Sequence, residues 1–489
     1  MMKEIQLDHV KYSYHKNEMQ LNDVNLAVSK GECIAIMGAS GCGKSTLTRV
    51  INGLIPSFYQ GELSGQTFIQ QKDIRKVASW EMGKMVGNVF QDPRSQFFAN
   101  EVAGEIAFGC ENIGLSYEEI KKRVTRTVKE MKIEHLLNTS IYTLSYGMRQ
   151  KVAICSAKAM EPEIYVFDEP SANLDMSATH LLADLIRKLK HDGKTIIIAE
   201  HRLFYLRDIA DRYIFMENGK IVKEYSTLEM KNQTSETLNK NGLRSLRFED
   251  IVIPKKNMNQ VEINSSVSVI NLNKDFGKNK QLLKNITFHY DSNEIIALIG
   301  KNGVGKSTLG KTIAGLLKES NGKILLDGNL KRYKQRIQKI WYIPQDLDSQ
   351  LFGEDLVDEL ITGLEASEKM KDKAEDILKK LGLFHLKSKH PATLSGGQKQ
   401  RLVLGVAMMR DISMIILDEP TSGLDFNSME KVRALIKEQQ NNGTKFLIIS
   451  HDIEFIARTC DRILKIDSGE IVEDYYLDDI QDLIKSMDA

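Results

Sequence analysis

The chain of 489 residues contains itself twice. GASGCGKS at 38–45 returns as GKNGVGKS at 300–307, IYVFDEPSANLD at 164–175 as MIILDEPTSGLD at 414–425, and TIIIAEH at 195–201 as KFLIISH at 445–451. The offset is 262 residues at the lysines (306 − 44) and 250 at the aspartates (418 − 168) and histidines (451 − 201). Part of the difference is an insertion near LIPSFYQG (54–61) in the first copy. Solenoid repeats run to only about 20–50 residues, so each copy here must build its own core. Two domains are predicted, 1–225 and 263–489, joined by a polar, unpatterned linker at 226–262. The C-terminal YYLDDIQDLIKSM reads as a short helix and leaves no room for a third domain.

Within each copy, short apolar runs (CIAIM, IYVF and TIII; IIALI, MIIL and FLII) end where the repeated polar motifs begin. Such runs suit strands buried on both faces of a parallel sheet. Amphipathic segments such as YEEIKKRVTRTVKEMK (117–132) and SMEKVRALIKEQQ (428–440) intervene. The alternation predicts an α/β fold with ligands at the carboxyl ends of the strands.

Composition narrows the function. Net charge is +1, with none of the basic excess of a nucleic-acid binder. Cys33, Cys42, Cys110, Cys155 and Cys460 are scattered without a CxxC pair, so free thiols are expected rather than a disulfide or zinc framework. The polar N-terminus does not read as a signal peptide. No apolar run approaches the roughly 18–20 residues that span a bilayer, so any work at a membrane requires a partner that spans it.

GASGCGKS and GKNGVGKS match G-x-x-x-x-G-K-S between a strand and a helix, the context that defines a phosphate-binding P-loop. Gly38, Ser40, Gly41, Cys42, Gly43 and Thr46 in the first copy, and Gly300, Asn302, Gly303, Val304, Gly305 and Thr308 in the second, are expected to wrap ATP phosphates with backbone N–H groups. Lys44 and Lys306 would reach the β/γ-phosphates, and Ser45 and Ser307 would ligate Mg²⁺. A glycine turn could match this pattern once by chance; two copies in matched context exclude that. Bulk attached to the Cys42 thiol is expected to crowd the phosphates. Asp168 and Asp418 each end an apolar strand and place a carboxylate beside the metal. Glu169 and Glu419 follow directly and are candidates to polarise the attacking water. His201 and His451 each lie 32 residues beyond their glutamate, a spacing that favours a γ-phosphate sensor over an incidental histidine. TLSGGQKQR (393–401) opens a helix, so Ser395, Gly396, Gly397 and Gln398 form an anion site at its N-terminus. The first copy reads TLSYGMRQK (143–151), keeping Ser145 and Gly147 while tyrosine and methionine replace a glycine and the glutamine.

P-loop, Q-loop, LSGGQ signature, acidic strand, D-loop and histidine, in that order and twice, resemble the ABC transporter ATPases over nearly the whole chain. The resemblance implies two tandem P-loop NTPase domains that hydrolyse ATP with Mg²⁺. It identifies Gln91 and Gln345 as Q-loop glutamines that contact Mg²⁺ and relay to a membrane partner, Asp175 and Asp425 as D-loop residues, and Tyr14 and Phe276 as the aromatics that stack on adenine. It also implies intramolecular pairing of the two domains, head to tail. One site would then combine Lys44, Ser45, Gln91, Glu169 and His201 with Ser395 and Gly397. The other would combine Lys306, Ser307, Gln345, Glu419 and His451 with Ser145 and Gly147, and so carry the altered signature.

VFQDPRSQFF (89–98) and IPQDLDSQLF (343–352) place a second glutamine, Gln96 or Gln350, five residues past the first. This is similar to the ATPases of energy-coupling factor (ECF) importers of prokaryotes, as are AFGCENIG (107–114) and NGLIPSFYQG (52–61). The second copy departs from it, with Leu347 where the first has Pro93. That likeness implies a peripheral protein on the cytoplasmic face of the membrane, with a transmembrane T-type coupling subunit and a substrate-binding S subunit as partners and no nucleic acid. Its cargo would be a vitamin, a precursor or a metal ion. The alternatives are the tandem ATPase of a monosaccharide importer and a soluble, ribosome-associated tandem ABC ATPase.

Overall fold

The repeat in sequence is a repeat in structure. A computed structural model describes residues 3–15, 18–254, 266–277, 281–290, 294–365 and 367–488. The chain divides into two units, Met1–Arg247 and Phe248–Ala489. Among the described residues, the first unit has β1 (Lys3–Ser13), β2 (Met19–Ser29), β3 (Cys33–Met37), β4 (Glu62–Ile69), β5 (Lys72–Asp73), β6 (Val86–Val89), β7 (Ile164–Asp168), β8 (Thr195–Ala199), β9 (Arg212–Glu217) and β10 (Lys220–Ser226). They form a four-stranded sheet, β2-β1-β4-β5, and a six-stranded sheet, β10-β9-β3-β8-β7-β6. The CIAIM and TIIIA runs are β3 and β8, paired in parallel from Cys33 opposite Ile196, and every residue of both is buried. The continuous apolar runs are thus central strands covered on both faces.

The second unit repeats this with β11 (Val267–Asp275), β12 (Gln281–Tyr290), β13 (Ile295–Ile299), β14 (Asn321–Leu326), β15 (Asn329–Leu330), β16 (Ile340–Ile343), β17 (Met414–Asp418), β18 (Lys445–Ile449), β19 (Arg462–Asp467) and β20 (Glu470–Tyr476). Its sheets run β12-β11-β14-β15 and β16-β17-β18-β13-β19-β20. In each unit a helical layer is inserted between the strand before the Q-loop and the acidic strand. It comprises helices Val102–Asn112, Tyr117–Glu130 and Tyr146–Ala159 in the first, and Leu356–Ile361, Glu368–Lys380 and Gly396–Met408 in the second.

Part of the stretch read as a linker folds onto the first unit. Ser226 and Glu229 make a reciprocal capping box that starts helix Thr227–Lys231, and Thr234 caps helix Ser235–Lys240. Met230, Leu238, Leu243 and Leu246 are buried in the same core as β3 and β7. Residues 255–262 of that stretch lie outside the described residues.

Candidate active site

Both P-loops leave the carboxyl end of a buried strand and enter a helix, Lys44–Ile51 after β3 and Lys306–Ala314 after β13. Glycine is required at the exit. A Cβ on Gly38 would lie 2.3 Å from the Met216 carbonyl oxygen, and one on Gly300 2.2 Å from that of Ile466. Gly43 (φ 106°) and Gly305 (φ 110°) bring the left-handed backbone that turns the loop into each helix, and neither helix start has a side-chain cap. Its first-turn amides are therefore offered to an anion. Lys44 and Lys306 are buried across the loop mouth, with Nζ donating to the carbonyls of Gly38 (3.0 Å) and Ala39 (3.2 Å) and of Gly300 (2.6 Å) and Lys301 (2.9 Å).

In the first unit the remaining candidates converge. Ser45 Oγ donates to Asp168 Oδ1 at 3.1 Å. Burial and the neighbouring Glu169 push the Asp168 carboxyl up to about 6. Gln91 Nε2 donates to Glu169 Oε2 at 2.8 Å, while His201 Nε2 lies 3.1 Å from Glu169 Oε1 and 3.3 Å from Lys44 Nζ. Glu169 adopts φ 47° and Glu419 φ 52°, left-handed backbone that costs a bulky residue strain and is found where function requires it. In the second unit the glutamate–histidine pair is wider. Glu419 Oε2 accepts from the His451 amide at 3.3 Å and Ser450 Oγ at 3.5 Å, and His451 Nε2 lies 3.5 Å from Glu419 Oε1 and 3.0 Å from Asn302 Oδ1. Gln345 follows β16 at the matched position and is exposed. Asp418 Oδ2 accepts from the Tyr342 hydroxyl at 2.5 Å, and Ser307 hydrogen-bonds the same tyrosine.

The aromatics differ between units. Tyr14 is half-buried, edge-on to Tyr12 and Tyr59, and its hydroxyl accepts from Arg49 Nη1 at 2.7 Å beside Thr46 Oγ1 at 3.5 Å. The LIPSFYQG insertion thus supplies Tyr59 as a neighbour. Phe276 is exposed, with Lys274 Nζ 4.9 Å from its ring centre. The signature serines are helix N-caps: Ser145 accepts from the Met148 amide and Ser395 from the Gln398 amide, both at 3.4 Å. Gln398 returns the bond to the Ser395 amide at 2.9 Å, which Met148 cannot do.

Cys42, whose modified thiol is expected to crowd the phosphates, is 6% exposed and belongs to the buried core cluster that also holds Leu47. The other four cysteines are buried as well.

Three features escaped the sequence. Glu105 and Glu359, each seven residues past a phenylalanine, are buried carboxylates that accept from the amides of Phe98 and Ala99 (2.8 and 2.9 Å) and of Phe352 and Gly353 (both 2.7 Å). Gln96 turns inward and braces the Q-loop through the Phe90 amide (3.3 Å) and Asn88 carbonyl (3.1 Å). Behind each histidine lies a buried carboxylate. In the first unit it is Glu200, which accepts from Ser171 N (3.2 Å), Ser171 Oγ, Tyr205 Oη (2.9 Å) and His201 N (3.0 Å). In the second, Ser450 takes that place and Asp452, on the other side of His451, accepts from Thr421 Oγ1 at 2.7 Å.

Full burial and the nearby Glu169 push Glu200 from 4.5 up to about 7, against the pull of its four donors. Between those values the folded protein holds a proton that the unfolded chain has released. Glu200 therefore lowers stability as pH rises through that window, and the loss is complete above it. Glu200→Gln abolishes the titration. The melting temperature of the variant relative to the parent is expected to rise from pH 5 to pH 8 in thermal scans; a constant difference across that range refutes the assignment.

A profile of the family described as ABC transporter matches residues 21–172 and 283–422. A Treponema denticola protein named as an ABC transporter ATP-binding protein is 39% identical over 97% of both chains. A Bacillus subtilis protein named for HMP/thiamine import ATP binding is 32% identical over 94% of this chain and 89% of its own. Among solved structures, RNase-L Inhibitor superposes with a TM-score of 0.67 at 23% identity, over 98% of this chain and 93% of its own, a likeness of fold alone.

Proposed function

Because the chain belongs to the ABC transporter ATPase family, with two ATP-binding domains in tandem, we propose that it powers a membrane importer of the energy-coupling factor type from the cytoplasmic face. The observation that carries this reading is the pair Phe98 and Phe352, exposed at matched positions just past the two Q-loops. No described helix is long and apolar enough to cross a membrane, so the translocation path belongs to other chains, a T-type coupling subunit and an S subunit. The name of the Bacillus subtilis relative supports a vitamin or vitamin precursor as cargo.

In the working cycle Lys44 and Lys306 leave the P-loop carbonyls for the β/γ-phosphates, and the uncapped amides of the following helices close on the same oxygens. Ser45 Oγ and Asp168 Oδ1, 3.1 Å apart, are hard oxygen donors that fit Mg²⁺, which takes one or two protein ligands and fills the rest of its shell with water and phosphate. In the second unit Ser307 and Asp418 offer the same donor types. Bound there, the ion neutralises charge that develops on the phosphate oxygens. Glu169 polarises the attacking water as general base, held by Gln91 on one carboxylate oxygen and by His201 on the other.

The test is purification of the tagged chain from detergent-solubilised membranes. It is expected to bring down an integral T-type subunit with an S subunit, and the reconstituted complex is expected to accumulate cargo only with ATP. Sedimentation with ribosomes and absence from the membrane fraction would overturn the proposal.

A further inference from the structure

The first unit's signature differs from the second's in a way that has a structural partner. Tyr146 stands where the second unit has Gly396, and Asn173, in the loop after Asp168, stands where it has Gly423. The Tyr146 hydroxyl donates to the backbone carbonyl of Gln91 and hydrogen-bonds the Asn173 side chain. The two residues that replace glycines thus meet each other, and they meet on the Q-loop. The same Gln91 donates its side-chain amide to Glu169 at 2.8 Å. Burial raises the Tyr146 phenol to about 12, so it remains a neutral donor throughout the working pH range.

The second unit solves the same problem differently. A Cβ built on Gly396 meets nothing within 4 Å, so no side chain fills this space. Its signature helix reaches the Q-loop instead through Lys399 Nζ and Asp348 Oδ1, 2.6 Å apart, with Asp348 68% exposed. An ion pair in water contributes little and is screened by salt. A phenol bound to a backbone carbonyl is not.

We propose that Tyr146 is a positioning residue: with Asn173 it clasps the signature helix, the Q-loop and the loop after Asp168 of the first unit into one body, and so holds Gln91 where it orients Glu169. In the second unit the Lys399–Asp348 ion pair, which salt screens, ties the signature helix to the Q-loop instead. The contact itself stands on geometry within one unit, while its consequence for turnover rests on the ATPase role of Glu169.

Hydrogen–deuterium exchange of the full-length chain tests this together with steady-state ATPase kinetics. Tyr146→Phe keeps the ring and removes the hydroxyl. Exchange of the amides at 88–98 is expected to accelerate about fivefold, the effect of losing one hydrogen bond, with β3 and β7 unchanged. The kcat is expected to fall with KM for ATP unchanged. Asn173→Ala is expected to act in the same direction, and the double variant to do little more than either, because all three share one contact. High salt is expected to loosen the loop at 342–352 and leave that at 88–98 as it was. Unchanged exchange at 88–98 in both single variants overturns the clasp, as does a loss of activity through KM alone. No membrane partner enters this experiment, so a failed search for importer subunits leaves its outcome intact.

Discussion

Glu169→Gln is expected to lower the ATPase kcat of the full-length chain by about 10²–10³, the usual cost of one positioned group in such a site, while Glu419→Gln costs less than about tenfold. The expectation rests on how firmly each glutamate is held. Glu169 is fixed from both oxygens, by Gln91 at 2.8 Å and His201 at 3.1 Å. The matching glutamate–histidine pair of the second unit is wider, with His451 Nε2 3.5 Å from Glu419 Oε1. A base held before reaction need not be ordered during it. Glutamine can still accept from Gln91 and bear on the same neighbours, so Glu169→Gln should retain nucleotide binding, read by a fluorescent ATP analogue. Equal losses in kcat from the two substitutions would refute the asymmetry.

What could be read from the sequence was whatever chemistry is local. Lys44 follows Gly43 because the loop needs both within one turn, and Asp168 and Glu169 adjoin because a strand end must present two carboxylates side by side. Such residues are neighbours in the chain, so the string displays them. The Glu105 brace, the Tyr146–Asn173 contact and the Glu200 carboxylate join residues that are far apart in the chain or on different elements. Their signal lies only in comparing the halves. A glutamate recurs seven residues past Phe98 and past Phe352, two glycines become tyrosine and asparagine together, and a carboxylate shifts from one side of a histidine to the other. The burial of Cys42 was not legible either, because a loop position does not fix which way a side chain turns. The expected linker was read from its polar composition, but Met230, Leu238, Leu243 and Leu246 are apolar side chains spaced to reach one core. A few such residues suffice to hold a short, polar stretch against a domain.

Replacing Phe98 and Phe352 together by alanine is expected to abolish assembly with the membrane subunits and ATP-driven uptake while ATP binding persists. Phe98 is 74% exposed and Phe352 76%, whereas the adjacent Phe97 packs against the core of the first unit. An exposed phenylalanine is ordinary when it stands alone. Two at matched positions, each anchored by backbone bonds to a buried glutamate, are placed rather than left over. Phe98 also stacks on Phe108 with ring centres 4.9 Å apart, so its ring is held rigid and apolar toward the outside. A rigid aromatic anchor at the edge of a nucleotide-sensing loop is what a cytoplasmic helix of a membrane subunit can seat, and anchors of this kind typically contribute about 2 kcal/mol or more each. Losing both would weaken the complex by roughly a thousandfold. Gln96 faces inward and braces the loop, so Gln96→Ala should instead alter ATP turnover of the isolated chain. Pull-down of membrane subunits and uptake into proteoliposomes separate the two effects. If the double phenylalanine variant assembles and transports as the parent does, the segment past the Q-loop is not the coupling surface, and the importer reading loses the observation that carries it.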